Sequence, residues 1–367
     1  MGKASELPKI VKSASREWAD AIAFAIIAAT LIRWLIMEAY TIPTGSMEKS
    51  LLVGDFLFVS KFHYGTRTPA TPIQIPLTHQ TLPFTKLKSY SDLIQLPQYR
   101  LPGITSVKRN DVVVFNVPGK SENEGIDRPI DLKTNYIKRC VAIAGETLEI
   151  KAQQVYVNGE ISETPELSQT DYYVTVTSIL RPRILETYDI TDISAPAENG
   201  NDFTYQMKLT QKQVDDLTGL NFVKNITKLV ADEGQRESRI FPSNKDWNTD
   251  WYGPITIPAK GMTIEINEET LYTYGEVIRL YDNNKSVSIE EGKLFIDGNQ
   301  MEEYTFKQNY YFMMGDNRHD SLDGRFWGFV PEDHIVGKAF FIWLSLEQNK
   351  GLFDGKIRWD RFFKMIH

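Results

Sequence analysis

The longest apolar stretch of the chain covers residues 21–32 and continues beyond Arg33 through residues 34–37. Asp20 and Glu38 bracket 17 residues, and a helix of that length measures about 26 Å, slightly less than the ~30 Å hydrocarbon core of a bilayer. Arg33 could reach the polar interface with its long side chain. We therefore predict a transmembrane helix at residues 18–39.

Two other interpretations of this stretch stay open. A cleaved signal peptide has a basic start and a similar apolar length, but Met37-Glu38-Ala39 is a poor small-residue cleavage site. A buried helix of a soluble domain is the second interpretation.

The remaining chain is dominated by short runs of β-branched and aromatic residues bounded by Gly, Asn, Asp or Pro, which predict strands. These runs are residues 53–59, 111–116, 136–143, 147–150, 155–157, 262–266, 294–296 and 310–314. Helical periodicity is sparse, with candidates at residues 210–217 and 268–281. We predict a mainly β protein.

Two segments share one pattern, a strand, a connection and a strand that ends in Asn-Gly or Asp-Gly. They cover residues 145–159 and 261–298, and either shared hairpin chemistry or an internal repeat would explain them. Prolines interrupt residues 66–107, which predicts a long surface excursion without regular elements. Residues 160–260 are polar and carry no recognisable chemistry, so they are interpreted as part of an insertion.

Composition and charge narrow the functional classes. The chain has 367 residues, a net charge of −7 and one cysteine, which argues against a nucleic-acid-binding face and excludes an internal disulfide or CxxC pair. Residues 1–17 carry a net +2 and residues 18–39 a net −1, which leaves −7 − 2 + 1 = −8 for the rest. The basic start predicts a cytoplasmic N-terminus, with residues 40–367 across the membrane.

Histidine-based chemistry finds little support. The five histidines form no HExxH pair and no Cys-His spacing, so we expect no metal site. His319-Asp320-Ser321 contains the three residue types of a catalytic triad, but adjacent residues cannot form one, and the segment is interpreted as a polar loop. No GxSxG elbow or P-loop occurs in the sequence.

Three segments carry the remaining candidate chemistry. Residues 40–47 read Tyr-Thr-Ile-Pro-Thr-Gly-Ser-Met and follow directly on the apolar stretch. On a strand at residues 135–145, alternation puts Lys138 on the face of Cys140, Ala142 and Ala144. That lysine either extends to solvent or is desolvated, and desolvation would lower its pKa toward that of a general base. Residues 315–328 form a turn-rich, charged loop.

Together these segments resemble the signature boxes of bacterial type I signal peptidases, or leader peptidases, which are membrane-anchored serine proteases with a Ser/Lys dyad. The matching positions are residues 42–51, 54–55, 108–115, 136–145 and 315–330, in the expected order behind an anchor. The resemblance implies a signal-peptidase-like β fold with one N-terminal transmembrane helix. Residues 1–17 would be a short cytoplasmic segment, 40–159 and 301–367 the catalytic β domain, and 160–300 an inserted, partly β second lobe.

The resemblance also implies roles for individual residues. Ser46 would be the nucleophile, Lys138 the general base, Thr44 an oxyanion donor and Ser321 the residue that orients the lysine. Asp316, Asp323, Arg325 and Arg139 would be structural support near the site. A pocket for small side chains would be lined by Ile42, Pro43, Met47, Leu51, Tyr136 and Ile137. No cofactor or metal is implied.

The implied function is removal of signal peptides from exported preproteins after an A-x-A-like pattern, by an enzyme in the bacterial cytoplasmic membrane with its catalytic domain on the periplasmic side. The chain departs from the family pattern at Lys49-Ser50, Asn110, Ala144-Gly145-Glu146 and Gly324. Two alternatives remain. A soluble Ser/Lys self-cleaving repressor would need a helix-turn-helix region that is not visible, and an inactive membrane-anchored homologue would act as an interaction protein. The sequence does not indicate the oligomeric state.

Overall fold

The computed structural model describes residues 13–119, 125–126, 128–351 and 354–367. The expected cytoplasmic segment falls mostly outside this part of the chain, including the basic residues Lys3, Lys9 and Lys12.

The apolar stretch forms helix α1, Ala14–Leu35, whose 22 residues would measure about 33 Å. Its most apolar window has a mean hydropathy of 1.6, and none of its residues is buried. The helix is therefore long and apolar enough to cross a bilayer, and it is not packed as a core helix of the described residues.

The predicted helix end at residue 39 is wrong. Helix α1 stops at Leu35, and Met37–Thr41 form a strand that pairs antiparallel with residues of the next strand, Glu38 opposite Val59. Glu38 also receives Arg33 Nε at 2.6 Å and Lys61 Nζ at 2.8 Å. These long-range partners favour the sheet over continuation of the helix.

Antiparallel strands form most of the remaining regular structure. In chain order they are β1 Met37–Thr41, β2 Asp55–Ser60, β3 Val112–Asn116, β4 Asn135–Ala142, β5 Thr147–Lys151, β6 Gln154–Val157, β7 Glu160–Ile161, β8 Gln169–Val176, β9 Ala197–Asn199, β10 Asp202–Thr210, β11 Val223–Lys228, β12 Tyr252–Thr256, β13 Thr263–Glu265, β14 Val287–Glu290, β15 Lys293–Ile296, β16 Asn299–Met301, β17 Glu303–Thr305, β18 Tyr310–Met314, β19 Val330–Pro331, β20 Ile335–Ser345 and β21 Lys364–Met365. The mainly β prediction is confirmed.

The largest sheet joins strands that are distant in sequence. Its order is β1-β2-β20-β3-β4-β18-β19, with β21 also paired to β20. The excursion at residues 66–107 leaves this sheet between β2 and β3 and, as predicted, contains no helix or strand among those given above. This sheet brings residues near positions 46, 138 and 316 to one place.

The other sheets are smaller, with the orders β11-β8-β10-β9, β12-β5-β6-β7, β13-β17 and β14-β15-β16. The first lies within the second lobe expected at residues 160–300 and the last ends one residue beyond it, whereas β12-β5-β6-β7 and β13-β17 join strands from both sides of its expected boundaries. The first predicted hairpin is confirmed, since Leu148 pairs with Val157. The second is wrong as a hairpin, because β13 pairs with β17 and β15 pairs with β14 and β16. One apolar core joins residues on both sides of position 159, among them Val157 and Ile240.

The described residues also form four shorter α-helices: α2 Pro182–Thr187, α3 Gln211–Thr218, α4 Glu268–Leu280 and α5 Gly324–Trp327. Both predicted helices are confirmed. Thr210 and Asn267 begin α3 and α4 with capping boxes, in which the cap side chain accepts a backbone N–H and the third helical residue bonds back.

Candidate active site

Ser46 lies on a tight turn fixed from two sides. Gly45–Met47 form one 3₁₀ turn, and Met47 is fully buried beneath it. On the other side Asn317 holds the turn: its backbone N–H donates to Ser46 O at 3.1 Å, and its Nδ2 donates to Gly45 O at 3.0 Å. The serine side chain is thereby presented at a rigid, half-buried position.

Lys138 reaches this serine from the centre of β4. Its Nζ lies 2.6 Å from Ser46 Oγ and 3.1 Å from Ile137 O. The residue is only 4% exposed, so the sequence alternative of a lysine extended to solvent does not apply. Burial lowers the pKa of Lys138 to about 8, and the more distant charges of Asp323 and Asp316 oppose this shift without cancelling it.

A second buried network holds the strand that carries Lys138. Arg139 binds the Asp316 carboxylate with two nitrogens, Nε at 2.8 Å and Nη2 at 2.6 Å. Ser50 Oγ donates to the same carboxylate at 2.5 Å. The backbone around Ser46 is thus connected to β4 and to the 315–328 loop through one acid.

Asp323 and Arg325 form a second buried ion pair, which lies within the 315–328 loop. The Asp323 carboxylate accepts from Arg325 Nε at 2.9 Å and Nη2 at 2.8 Å, and from the Gly315 N–H at 3.0 Å. Burial would raise the pKa of Asp323, but Arg325 outweighs burial and lowers it. Both residues are at most 1% exposed, so this ion pair supports the loop and does not face solvent.

Ser321 lies beside Ser46, but it does not bond the lysine. A Cβ added at Gly315 would lie 2.2 Å from Ser321 Oγ and 2.5 Å from Ser46 O, so only glycine fits between the two serines. Ser321 is near enough to Asp323 to help lower its pKa, yet its buried Oγ lacks a well-oriented hydrogen-bond partner among the described residues. Its orienting role therefore stays a prediction.

Thr44 precedes the turn in an extended conformation, with φ −133° and ψ 157°. Its side chain is exposed and does not cap the turn. The hydroxyl therefore remains available to a molecule that approaches Ser46.

The six residues expected to line a substrate pocket differ in exposure. Ile42, Met47 and Leu51 are buried in one core with Ile137 packed against it, whereas Tyr136 is half-buried and Pro43 is exposed. Tyr136 lies beneath the lysine, with its ring centroid 5.6 Å from Lys138 Nζ. The pocket assignment stays a prediction.

Two of the departures from the family pattern have visible consequences. Asn110 has φ +70°, the left-handed conformation that asparagine tolerates where a glycine is usual. Lys49 also has φ +70°, which proline cannot adopt, so the backbone after Ser46 differs from one built on Pro-Thr. Lys49 Nζ instead binds Asp189 of the second lobe, at 2.9 Å from Oδ2.

The roles of two residues at the site were not predicted from the sequence. Asn317 lies in a segment of interest, but its hold on Gly45 and Ser46 depends on contacts across the fold. His319 bridges two acids, with Nδ1 3.1 Å from Asp171 and Nε2 2.8 Å from Asp250. The segment 319–321, which was interpreted as a polar loop, therefore carries a histidine that joins the site loop to the second lobe. The described residues contain no group of three or more His, Cys, Asp or Glu arranged for a metal ion.

A serine held by a desolvated lysine, on a β fold behind one apolar helix, is the arrangement of a membrane-anchored serine peptidase. Comparison with known proteins identifies the family. The model for signal peptidase, peptidase S26, matches residues 15–223 and 256–344. The chain belongs to this family.

Curated relatives of the same kind occur in several bacteria. Signal peptidase I of Buchnera aphidicola from Acyrthosiphon pisum is 26% identical over 337 residues, which are 91% of this chain and 77% of the relative. The Haemophilus influenzae enzyme is 25% identical and covers 94% and 74%. The Helicobacter pylori enzyme is 25% identical and covers 93% and 89%.

Proposed function

We propose that this chain removes N-terminal signal peptides from exported preproteins with Ser46 as nucleophile and Lys138 as general base. The observation that carries the proposal is the 2.6 Å approach of Lys138 Nζ to Ser46 Oγ within a site where burial lowers the lysine pKa to about 8. The relatives named signal peptidase I support the substrate class.

The chemistry follows from the protonation state of the lysine. At pH 7 roughly a tenth of a group with that pKa is neutral, and the neutral amine can accept the Ser46 hydroxyl proton as Oγ attacks the scissile carbonyl. The resulting ammonium then gives its proton to the leaving amine. Water, deprotonated by the same lysine, hydrolyses the acyl-enzyme and restores the serine.

The oxyanion that forms during attack needs donors on the opposite side of the carbonyl from Lys138. Thr44 Oγ1 is exposed and is not used to cap the turn. The Ser46 N–H lies in the first turn of a short helix, where amides lack partners within the helix. These two groups are proposed as the oxyanion hole.

Specificity and location extend the proposal. A pocket lined by Ile42, Pro43, Met47, Leu51, Tyr136 and Ile137 would favour small substrate side chains. Residues 1–17 would be cytoplasmic and the catalytic residues periplasmic, supported by the net +2 charge before the span. Residues 40–159 with 301–367 would form the catalytic domain, and 160–300 the inserted lobe.

The decisive experiment is cleavage of a purified preprotein by the full chain in detergent or vesicles. Ser46→Ala and Lys138→Ala should each abolish cleavage, because one lacks the attacking oxygen and the other its base. Ser286→Ala and Lys285→Ala, on an exposed turn of the second lobe, are matched controls that should retain activity. Undiminished cleavage by either site variant would refute the dyad, and an inactive wild type would favour the interaction-protein alternative.

A further inference from the structure

A cavity of about 350 Å³ lies where α1 meets the excursion at residues 66–107. Its lining includes Arg33 and Trp34 from the end of α1, Lys61 after β2, and His79 and Gln98 from the excursion. Ser46, Lys138 and Ser321 do not line it, so it is separate from the proposed catalytic site.

The position of the cavity along the membrane normal follows from its attachment to α1. Trp34 Nε1 donates to Arg67 O at 3.1 Å, and Thr66 Oγ1 donates to Leu35 O at 2.6 Å, so the excursion is fixed to the last turn of the helix. Because 22 helical residues span about 33 Å, the last turn of a membrane-crossing α1 lies near the boundary of the ~30 Å hydrocarbon core. The cavity is therefore at headgroup depth.

The charges around the cavity leave a positive excess. Arg33, Lys61 and Arg67 are cationic, against Glu38 and Asp131. Asp131 is occupied by the N–H groups of two excursion residues, and Glu38 accepts from Arg33 Nε, Lys61 Nζ and Tyr40 OH.

Arg33 uses only one of its three nitrogens in these contacts. Its Nε binds Glu38, and its two Nη atoms make no hydrogen bond to the described residues. The side chain is 30% exposed, so this free edge of the guanidinium can receive an anionic oxygen.

Unsatisfied polar atoms indicate a polar occupant. Gln98 Nε2 and Oε1 and His79 Nε2 are buried and have no hydrogen-bond partner among the described residues. A buried polar atom without a partner has lost its hydrogen bonds to water with nothing in exchange, which is unfavourable. A ligand with both donors and acceptors would remove this cost.

The rim of the same cavity is apolar. Ile75 and Leu77 belong to its lining and are 48% and 53% exposed. We propose that the cavity binds a glycerophospholipid headgroup, with the phosphate at Arg33, a hydroxyl or amine substituent at Gln98, and the acyl chains along the rim. A volume of this size lies within the usual range for small-molecule sites.

The test is retention of phosphatidylglycerol by the full chain in neutral detergent, measured by native mass spectrometry over a lipid titration. One lipid per chain should saturate. Arg33→Gln and Gln98→Leu should each weaken retention at least tenfold, because each removes a direct hydrogen bond to the headgroup and Arg33→Gln also removes the charge that faces the phosphate. Arg183→Gln and Gln300→Leu change the same residue types at exposed positions that do not line the cavity, and they should leave retention unchanged.

Three further ligands distinguish a lipid headgroup from a soluble phosphate as the source of the bound phosphate. Diacylglycerol, which lacks phosphate, should not be retained. Glycerol 3-phosphate and inorganic phosphate should compete only weakly, and competition equal to that of the lipid would overturn the lipid assignment in favour of a soluble phosphate ester. Equal lipid retention by the cavity variants and their controls, or retention of diacylglycerol, would overturn the site itself.

Discussion

Lys138 and Arg139 are neighbours on β4, equally buried at 4% exposure, yet they meet opposite surroundings. Lys138 Nζ contacts a hydroxyl and a carbonyl, whereas the Arg139 guanidinium is matched by the two oxygens of Asp316. Burial penalises both cations, but only for Arg139 does a carboxylate in direct contact offset the penalty. This difference separates a group suited to proton transfer from a group that supports the fold.

Within the described residues, the other polar groups around the site also divide into those that lack hydrogen-bond partners and those that have several. Thr44 does not cap its turn and Ser321 Oγ lacks a partner among the described residues, whereas Asp316 and Asp323 accept several hydrogen bonds each. Changes to the unsatisfied groups should reduce activity at little cost in stability. Changes to the saturated ones should reduce stability first.

The largest effect is expected from Lys138→Arg. An arginine keeps the positive charge but cannot become neutral near pH 7, so cleavage should fall by about 10³-fold or more while the melting temperature changes little. Preprotein cleavage rates and thermal melting measure the two quantities.

Lys49→Arg is the matched control for this substitution. Lys49 is also buried, only three residues after Ser46, but it is paired with Asp189, and an arginine can keep that pair. Lys138→Arg with near wild-type cleavage would show that the lysine acts through its charge and not as a base.

Thr44→Val should have the next largest effect. Loss of one oxyanion donor typically costs about 10²–10³ in rate, and the loss should appear in kcat because the donor acts on the transition state. Thr44→Ser should restore most of the rate. Thr41→Val, an exposed threonine in β1, is the control, and equal losses in Thr41→Val and Thr44→Val would argue against an oxyanion role.

The pH dependence of cleavage follows from the lysine pKa of about 8. The neutral base is the minor form below that value, so the rate should rise by about tenfold per unit well below the pKa and level off above it, a change of roughly fiftyfold between pH 6 and pH 8. Melting temperatures at each pH establish that the protein stays folded. A flat profile from pH 6 to pH 9 would contradict a neutral-lysine base.

Much of the candidate site could be predicted from the sequence because its residues lie in short local patterns. The alternation around Lys138 left only two options for the lysine, and burial selected one. The Ser50 contact with Asp316 spans 266 positions, and no local pattern encodes it. The end of α1 was misplaced for the same reason, because the apolar run continues past Leu35 and only pairing with β2 ends the helix.

The second lobe shows a signal that was present but missed. In β8 the buried residues Tyr172, Val174 and Val176 alternate, as do Tyr205, Met207 and Leu209 in β10. Polar residues between them lowered the apparent hydrophobicity of the segment. Period-two alternation indicates a half-buried strand even when its other face is strongly polar.

The smallest expected effect concerns His319, which like Arg139 lies in contact with buried carboxylates. Burial alone would lower its pKa, but its hydrogen bonds to the Asp171 and Asp250 carboxylates outweigh burial and raise the pKa. Protonation is therefore favoured in the fold, and the stabilisation is complete below the unfolded value of about 6.5 and lost as pH rises through the folded pKa. His319→Gln should lower the free energy of unfolding by about 1–3 kcal/mol at pH 5 and by less at pH 8.

Thermal melting of the wild type and of His319→Gln between pH 5 and pH 8 measures this difference in stability. His63→Gln is a control for which the change in stability with pH should have the opposite sign. Burial, aided by Lys338, lowers the pKa of His63, so its replacement should not destabilise the protein on the acid side. The Asp171 and Asp250 carboxylates keep their charge throughout, since the His319 contacts outweigh their burial and lower both pKa values. A stability loss in His319→Gln that is equal at pH 5 and pH 8 would mean that the histidine joins the two lobes by shape alone and that its charge contributes nothing.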